Sequence, residues 1–101
     1  MSDVQQKIDT LLTENQVVLF MKGNPQFPQC GFSARAAAIL QDLGVSFHSV
    51  DVFEEPEMRD GIKVYGNWPT IPQLYVKKQL VGGSDIMMEM YQSGELQELF
   101  K

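Results

Sequence analysis

The stretch Val17–Val52, VVLFMKGNPQFPQCGFSARAAAILQDLGVSFHSVDV, decides the fold. It opens with Val17-Val18-Leu19-Phe20-Met21, apolar at odd and even positions alike. A strand covered on both faces has that pattern, whereas a strand with one wet face alternates. Gly23 to Gln29 holds a glycine and two prolines and predicts a loop. From Ser33 to Leu43 the chain is alanine-rich and helical, with Gly44 as its stop. Val45–Val52 supplies a second strand. A strand, a helix and a strand in this order predict a parallel pair joined by a right-handed crossover.

Upstream, Val4, Ile8, Leu11 and Leu12 share one face of an opening helix. Ser2 or Asp3 is placed to cap it and Asn15 to end it. Downstream, Glu54-Glu55-Pro56-Glu57 opens another helix, since proline suits the first turn and acids complement the positive end of the dipole. That helix fades near Tyr65-Gly66. Gln73–Val76 and Gln79–Val81 read as a hairpin turning at Lys77-Lys78, without the Asn-Gly or Asp-Gly that such turns prefer. Gly82-Gly83 breaks the second strand, Ser84 or Asp85 caps a helix to about Gln92, and Glu95–Lys101 predicts a short last helix. A βαβ unit joined to a ββα unit is the thioredoxin-like arrangement within the α/β class: a mixed four-stranded sheet flanked by helices, here one domain over residues 1–101.

A chain of 101 residues can bury a core without disulfide staples. Its net charge of −5, with Lys and Arg clustered only at Lys77-Lys78, argues against nucleic acid. No apolar run approaches the ~20 residues of a membrane helix. The start, Met1-Ser2-Asp3-Val4-Gln5-Gln6, lacks the features of a signal or transit peptide. A single cysteine cannot form an internal disulfide, which fits a reducing compartment, so a cytoplasmic location is expected.

That cysteine, Cys30, stands between the proline-rich loop and a helix start, where unpaired amides and the dipole favour a thiolate. Lys22 adds a nearby positive charge. Such surroundings make a nucleophile or a metal ligand, although a lone cysteine is more often a small buried hydrophobe. In Cys30-Gly31-Phe32-Ser33 the second thiol of a Cys-x-x-Cys pair is missing, so disulfide chemistry must borrow one from outside. Ser33 is read as a helix cap or a hydrogen-bond donor to the sulfur. In Trp68-Pro69-Thr70-Ile71-Pro72, a cis Ile71–Pro72 bond would expose the Ile71 backbone to an extended ligand, while the trans form is the general rule. Gly83, Ser84 and Asp85 precede a helix and offer amides to a carboxylate and a carboxylate to an amine, or merely form a turn and an N-cap. Arg59 can receive another carboxylate, though a helical arginine is commonly just solvated. His48 reads as structural, and Met87, Met88 and Met90 as core.

Met21-Lys22-Gly23, Pro25, Pro28, Cys30-Gly31-Phe32-Ser33, Trp68-Pro69-Thr70-Ile71-Pro72-Gln73 and Gly82-Gly83-Ser84-Asp85 occur in order across nearly the whole chain. In this series the chain closely resembles the monothiol glutaredoxins of the single-domain Cys-Gly-Phe-Ser class. The resemblance implies a glutathione groove. Lys22 and Arg59 would meet the glycyl carboxylate, Thr70 and the Ile71 backbone the cysteinyl unit, and Gly83, Ser84 and Asp85 the γ-glutamyl end. It also implies a cis Pro72. It further implies a 2Fe–2S cluster with Cys30 as metal ligand: such a cluster takes four thiolates, so two protomers and two glutathiones would form a homodimer around it. A cluster so held is suited to transfer to apo iron–sulfur proteins, and a BolA-type protein is a further implied partner. The alternative is a glutathione-dependent thiol–disulfide oxidoreductase, removing glutathione from mixed disulfides with Cys30 as the catalytic residue. The seven-residue loop Gly23–Gln29 resembles the cluster-binding class. A third reading is a docking module to which Cys30 is dispensable. Two departures stand out: Ser84 replaces a cysteine common in relatives, and Lys77-Lys78 replaces a glycine-containing turn.

Overall fold

The computed structural model describes residues 2–101. Helix α1 (Asp3–Glu14) is capped by Ser2, whose hydroxyl accepts the Gln5 N–H at 3.2 Å. Asn15 closes it, donating to the Leu11 carbonyl from both its backbone and its side chain. Then come β1 (Val17–Met21), α2 (Gly31–Asp42), β2 (His48–Asp51), α3 (Pro56–Tyr65), β3 (Gln73–Val76), β4 (Gln79–Gly82), α4 (Ser84–Ser93) and α5 (Glu95–Glu98). The strands lie in the order β2-β1-β3-β4; β1 is parallel to β2 and antiparallel to β3, and β3 is antiparallel to β4. This is the expected mixed sheet of the thioredoxin-like fold.

Both faces of β1 are covered, which is why it carries no polar residue. Val17, Leu19 and Met21 join Leu74 and Val76 in a core closed by Ala36, Ile39 and Leu40 of α2, Met87 of α4 and Leu96 of α5. Val18 and Phe20 point the other way, to Val50, Tyr75, Ile8 and Leu12 of α1 and Met58 and Ile62 of α3. Met87 is fully buried, with Met88 and Met90 packed against the same core, as expected of flexible apolar filler. His48 is exposed on the edge strand β2. No helix among the described residues is long and apolar enough to cross a membrane.

Several boundaries differ from expectation for identifiable reasons. β2 begins at His48, not Val45, because the Val45 N–H turns back to the Leu40 carbonyl at 3.1 Å with Gly44 at φ +68°, the helix-ending motif in which a left-handed glycine satisfies late carbonyls. α2 begins at Gly31, two residues before Ser33, because the Ala34 N–H reaches the Cys30 carbonyl. β4 runs on through Gly82, which pairs with Leu74 across a register shift. Neither Ser84 nor Asp85 caps α4; Gly83 does, without a side-chain bond. α5 stops at Glu98, and the chain beyond it continues as a turn.

The hairpin turn is the one place where residue preference gives way. Lys77 and Lys78 both have positive φ, +51° and +70°, the requirement of the tight two-residue turn whose twist matches the strands. Lys78 also reaches Asp9 of α1 at 2.9 Å. Left-handed backbone costs an ordinary L-residue roughly 1–2 kcal/mol, and asparagine tolerates it better. Replacing Lys77 by Asn while keeping the Lys78–Asp9 pair is therefore expected to raise stability by about 0.5–1 kcal/mol in urea unfolding; an unchanged or lower midpoint would contradict this account of the turn.

Candidate functional site

The chain leaves the buried end of β1 through Lys22 and folds into a tight loop. Gly23 has φ +84° and bridges to Pro28, and the Gln29 N–H returns to the Lys22 carbonyl at 2.9 Å. A Cβ at Gly23 would lie 2.5 Å from the Phe27 carbonyl oxygen and 2.7 Å from the Gln29 nitrogen, both backbone atoms that cannot rotate away. The Asn24 side chain accepts the Gln26 and Phe27 N–H groups. Asp51, at the end of β2, accepts from the Gly23 N–H at 3.1 Å and the Phe53 N–H at 2.9 Å, pinning the loop's root.

This loop delivers Cys30 to the N-cap of α2, partly exposed. Its thiol is held below the usual cysteine range, first by the Ser33 N–H; burial opposes this, while the Phe32 N–H, the Lys22 charge and the Ser33 hydroxyl add to it. Ser33 is wholly buried and its hydroxyl accepts the Lys22 N–H at 3.0 Å. The same hydroxyl supports the sulfur, so Ser33 is not the helix cap but a bridge between strand end and thiol.

Beside the thiol lies a cleft of about 570 Å³. Lys22, Arg59, Thr70, Ile71, Pro72, Gly83, Ser84 and Asp85, the binding residues expected from the sequence, all line it. Cys30 does not; its neighbours Lys22 and Phe32 do, which sets the sulfur at the rim. The Ile71–Pro72 bond is cis, as the family resemblance implied. Phe53, Lys63 and Trp68 were not assigned a place in the site by the sequence. For Lys63 the signal was available: it follows Arg59 by one helical turn, which puts both on one face of α3.

The charge of the cleft runs against that of the chain. Lys22, Arg59 and Lys63 line it with Asp85 as the sole acid, in a chain of net charge −5. At its other end, the N-terminal amides of α4 have no intrahelical partners. The Ser84 hydroxyl and the Trp68 indole N–H are buried there without a hydrogen-bond partner. Asp85 is exposed, with Arg35 of α2 at 4.0 Å. Phe27, Phe32 and Phe53 are exposed, and Phe32 and Phe53 line the cleft. Cations at one end, unspent donors at the other and a thiolate at the rim suit an extended ligand with carboxylates at both ends. Among the described residues no three His, Cys, Asp or Glu side chains converge.

Comparison with known proteins agrees with the fold and the motif. A family profile described as Glutaredoxin matches residues 17–81. An uncharacterised monothiol glutaredoxin of Synechocystis is 54% identical over 99 residues, covering 98% of this chain and 92% of its own. Glutaredoxin 4 of Escherichia coli is 50% identical over 101 residues, covering 100% of this chain and 88% of its own. The solution structure of reduced poplar apo GrxS14 superposes with a TM-score of 0.84 at 47% identity, over 96% of this chain and 89% of that one. With one thiol at the head of α2 and relatives of this closeness, the chain belongs to the glutaredoxin family, in its monothiol branch.

Proposed function

We propose that this glutaredoxin carries a 2Fe–2S cluster as cargo between two copies of itself and delivers it to apo iron–sulfur proteins in the cytoplasm. The observation that supports this most is a lone, activated, partly exposed thiol at the rim of a cationic cleft. Iron–sulfur clusters take four thiolates, and one protomer offers Cys30 alone. Glutathione supplies the missing pair when it lies in each cleft. Lys22 and Arg59 take its glycyl carboxylate, with Lys63 one turn along α3 to assist. The backbone of Ile71, with Thr70 alongside, pairs with its cysteinyl unit; among the described residues the Thr70 and Ile71 N–H groups donate to no backbone carbonyl. The free amides at Gly83–Asp85 take the γ-glutamyl carboxylate and the Asp85 side chain the amine. A cluster half held by small molecules is released more readily than one enclosed by protein. A BolA-type protein is a candidate to replace the second copy.

A second reading has an observation in its favour: the lowered thiol pKa also suits Cys30 as a nucleophile. The thiolate would attack the protein–glutathione disulfide, take the glutathione as a mixed disulfide and release the protein thiol. A second glutathione would then regenerate Cys30, leaving glutathione disulfide. Ser33 cannot resolve that intermediate internally.

Anaerobic reconstitution with iron, sulfide and glutathione separates the two. The carrier reading expects visible absorption in a dimeric fraction on size exclusion, absent without glutathione and absent in Cys30→Ser; colourless monomer under every condition would leave the oxidoreductase. Alkylation by iodoacetamide against pH tests the thiol itself. Because the pKa is lowered, the thiolate population and the rate should be half-maximal at a lower pH than for a free cysteine thiol measured alongside. Lys22→Gln should move the midpoint up only part of the way, since the Ser33 and Phe32 amides remain. A midpoint at or above the free value would remove the electrostatic argument for Cys30.

A further inference from the structure

Gln73 opens β3 immediately after the cis Ile71–Pro72 bond and is wholly buried. Its side-chain nitrogen donates to the Trp68 carbonyl at 3.0 Å and to the Thr70 carbonyl at 3.1 Å. Its side-chain oxygen accepts the Tyr75 hydroxyl at 3.0 Å. The two carbonyls decide which way the amide faces: they can only accept, so the N–H groups turn to them and the oxygen is left to accept the Tyr75 hydroxyl. Burial pushes the Tyr75 pKa up, so the hydroxyl stays a neutral donor. Tyr75 is itself fixed edge-on between Phe20 and Tyr65, with ring centroids at 5.8 and 6.2 Å. At Gly66 any Cβ would collide with the Tyr75 hydroxyl, leaving no slack around the group.

The segment that Gln73 holds has few ties of its own. Pro69 and Pro72 have no N–H to donate, and Thr70 and Ile71 use none toward the backbone among the described residues. Trp68, Thr70, Ile71 and Pro72 line the cleft, whereas Gln73 stands behind them and does not. A fully buried amide with both its N–H groups spent on the wall of the cleft is a costly feature for a core that could have been apolar.

We propose that Gln73 is a positioning residue of the ligand cleft: without touching the ligand, its amide fixes the Trp68 and Thr70 carbonyls so that the Thr70–Pro72 wall keeps the shape that receives glutathione. The inference rests on the glutathione reading above and adds to it the side chain that shapes the receiving backbone.

Three variants of the full chain test it: Gln73→Met keeps length and loses all three bonds, Gln73→Glu sets a negative charge against two carbonyls, and Tyr75→Phe removes only the hydroxyl that the amide oxygen accepts. Each is measured for glutathione affinity by calorimetry, Cys30 alkylation rate at pH 7 and thermal unfolding. Losing the two bonds to the Trp68 and Thr70 carbonyls in Gln73→Met should weaken glutathione about tenfold, with Gln73→Glu worse and Tyr75→Phe milder. The alkylation rate should hold, because the sulfur is governed by Ser33, Phe32 and Lys22, which Gln73 does not contact. If Gln73→Met does not fold, Tyr75→Phe is decided on the same readouts. Unchanged affinity in a folded variant, with wild type binding glutathione, overturns the role of Gln73 alone. A parallel fall of affinity, alkylation and unfolding temperature in all variants also overturns it, marking a purely structural residue. A wild type that binds no glutathione overturns both this inference and the reading beneath it.

Discussion

One partly buried hydrogen bond, from the Lys22 N–H to the Ser33 hydroxyl at 3.0 Å, sets where the chemistry stands. It joins the end of the central strand to the first turn of α2. The chain between, residues 23–32, must therefore close on itself, which Gly23 allows with a left-handed backbone and no room for a Cβ. Once the join is made, Cys30 has only one place to be: at the helix N-terminus, with the Ser33 and Phe32 amides turned to its sulfur. Lys22 is carried in beside it by the same bond. The lowered thiol pKa is thus first a consequence of how the strand meets the helix, with the Lys22 charge adding to it.

The rest of the site is assembled from the other half of the fold. β1 is the seam of the sheet, parallel to β2 on one side and antiparallel to β3 on the other. The βαβ half brings Lys22 and Cys30; the ββα half brings the Pro72 wall and the head of α4; α3 adds Arg59 and Lys63. Packing on both faces of β1 holds these parts in register, because its five residues are buried in two separate cores. The cleft gathers positive charge although the chain is acidic, an arrangement that draws an anionic ligand to this surface and leaves the remainder negative.

Much of this could be read from the residues. The doubly apolar Val17–Met21 specified a central strand, the Ser33–Leu43 alanines a packed helix, and the proline and glycine positions the loops between. What could not be read were features decided by hydrogen bonds between distant segments. Val45 looked like strand but closes α2; Ser33 looked like a cap but bridges to Lys22; Ser84 looked like a cap but is a buried hydroxyl without a partner. Lys77-Lys78 looked wrong for its turn, yet the short connection between two paired strands forces both residues left-handed. The cis bond before Pro72 came from the resemblance alone, since an isolated X–Pro pair favours trans. Lys63 and Phe53 joined the cleft unannounced, one by helical spacing that was legible and one by the Asp51 tether that was not.

The central claim is that this chain cannot hold a cluster with its own ligands and must share it with glutathione across two copies. Native mass spectrometry of the coloured species reads that composition directly. The account predicts a mass equal to two chains, two glutathiones and one 2Fe–2S cluster, with cluster and glutathione leaving together on activation. A cluster-bearing species of one chain, or of two chains without glutathione, would contradict it.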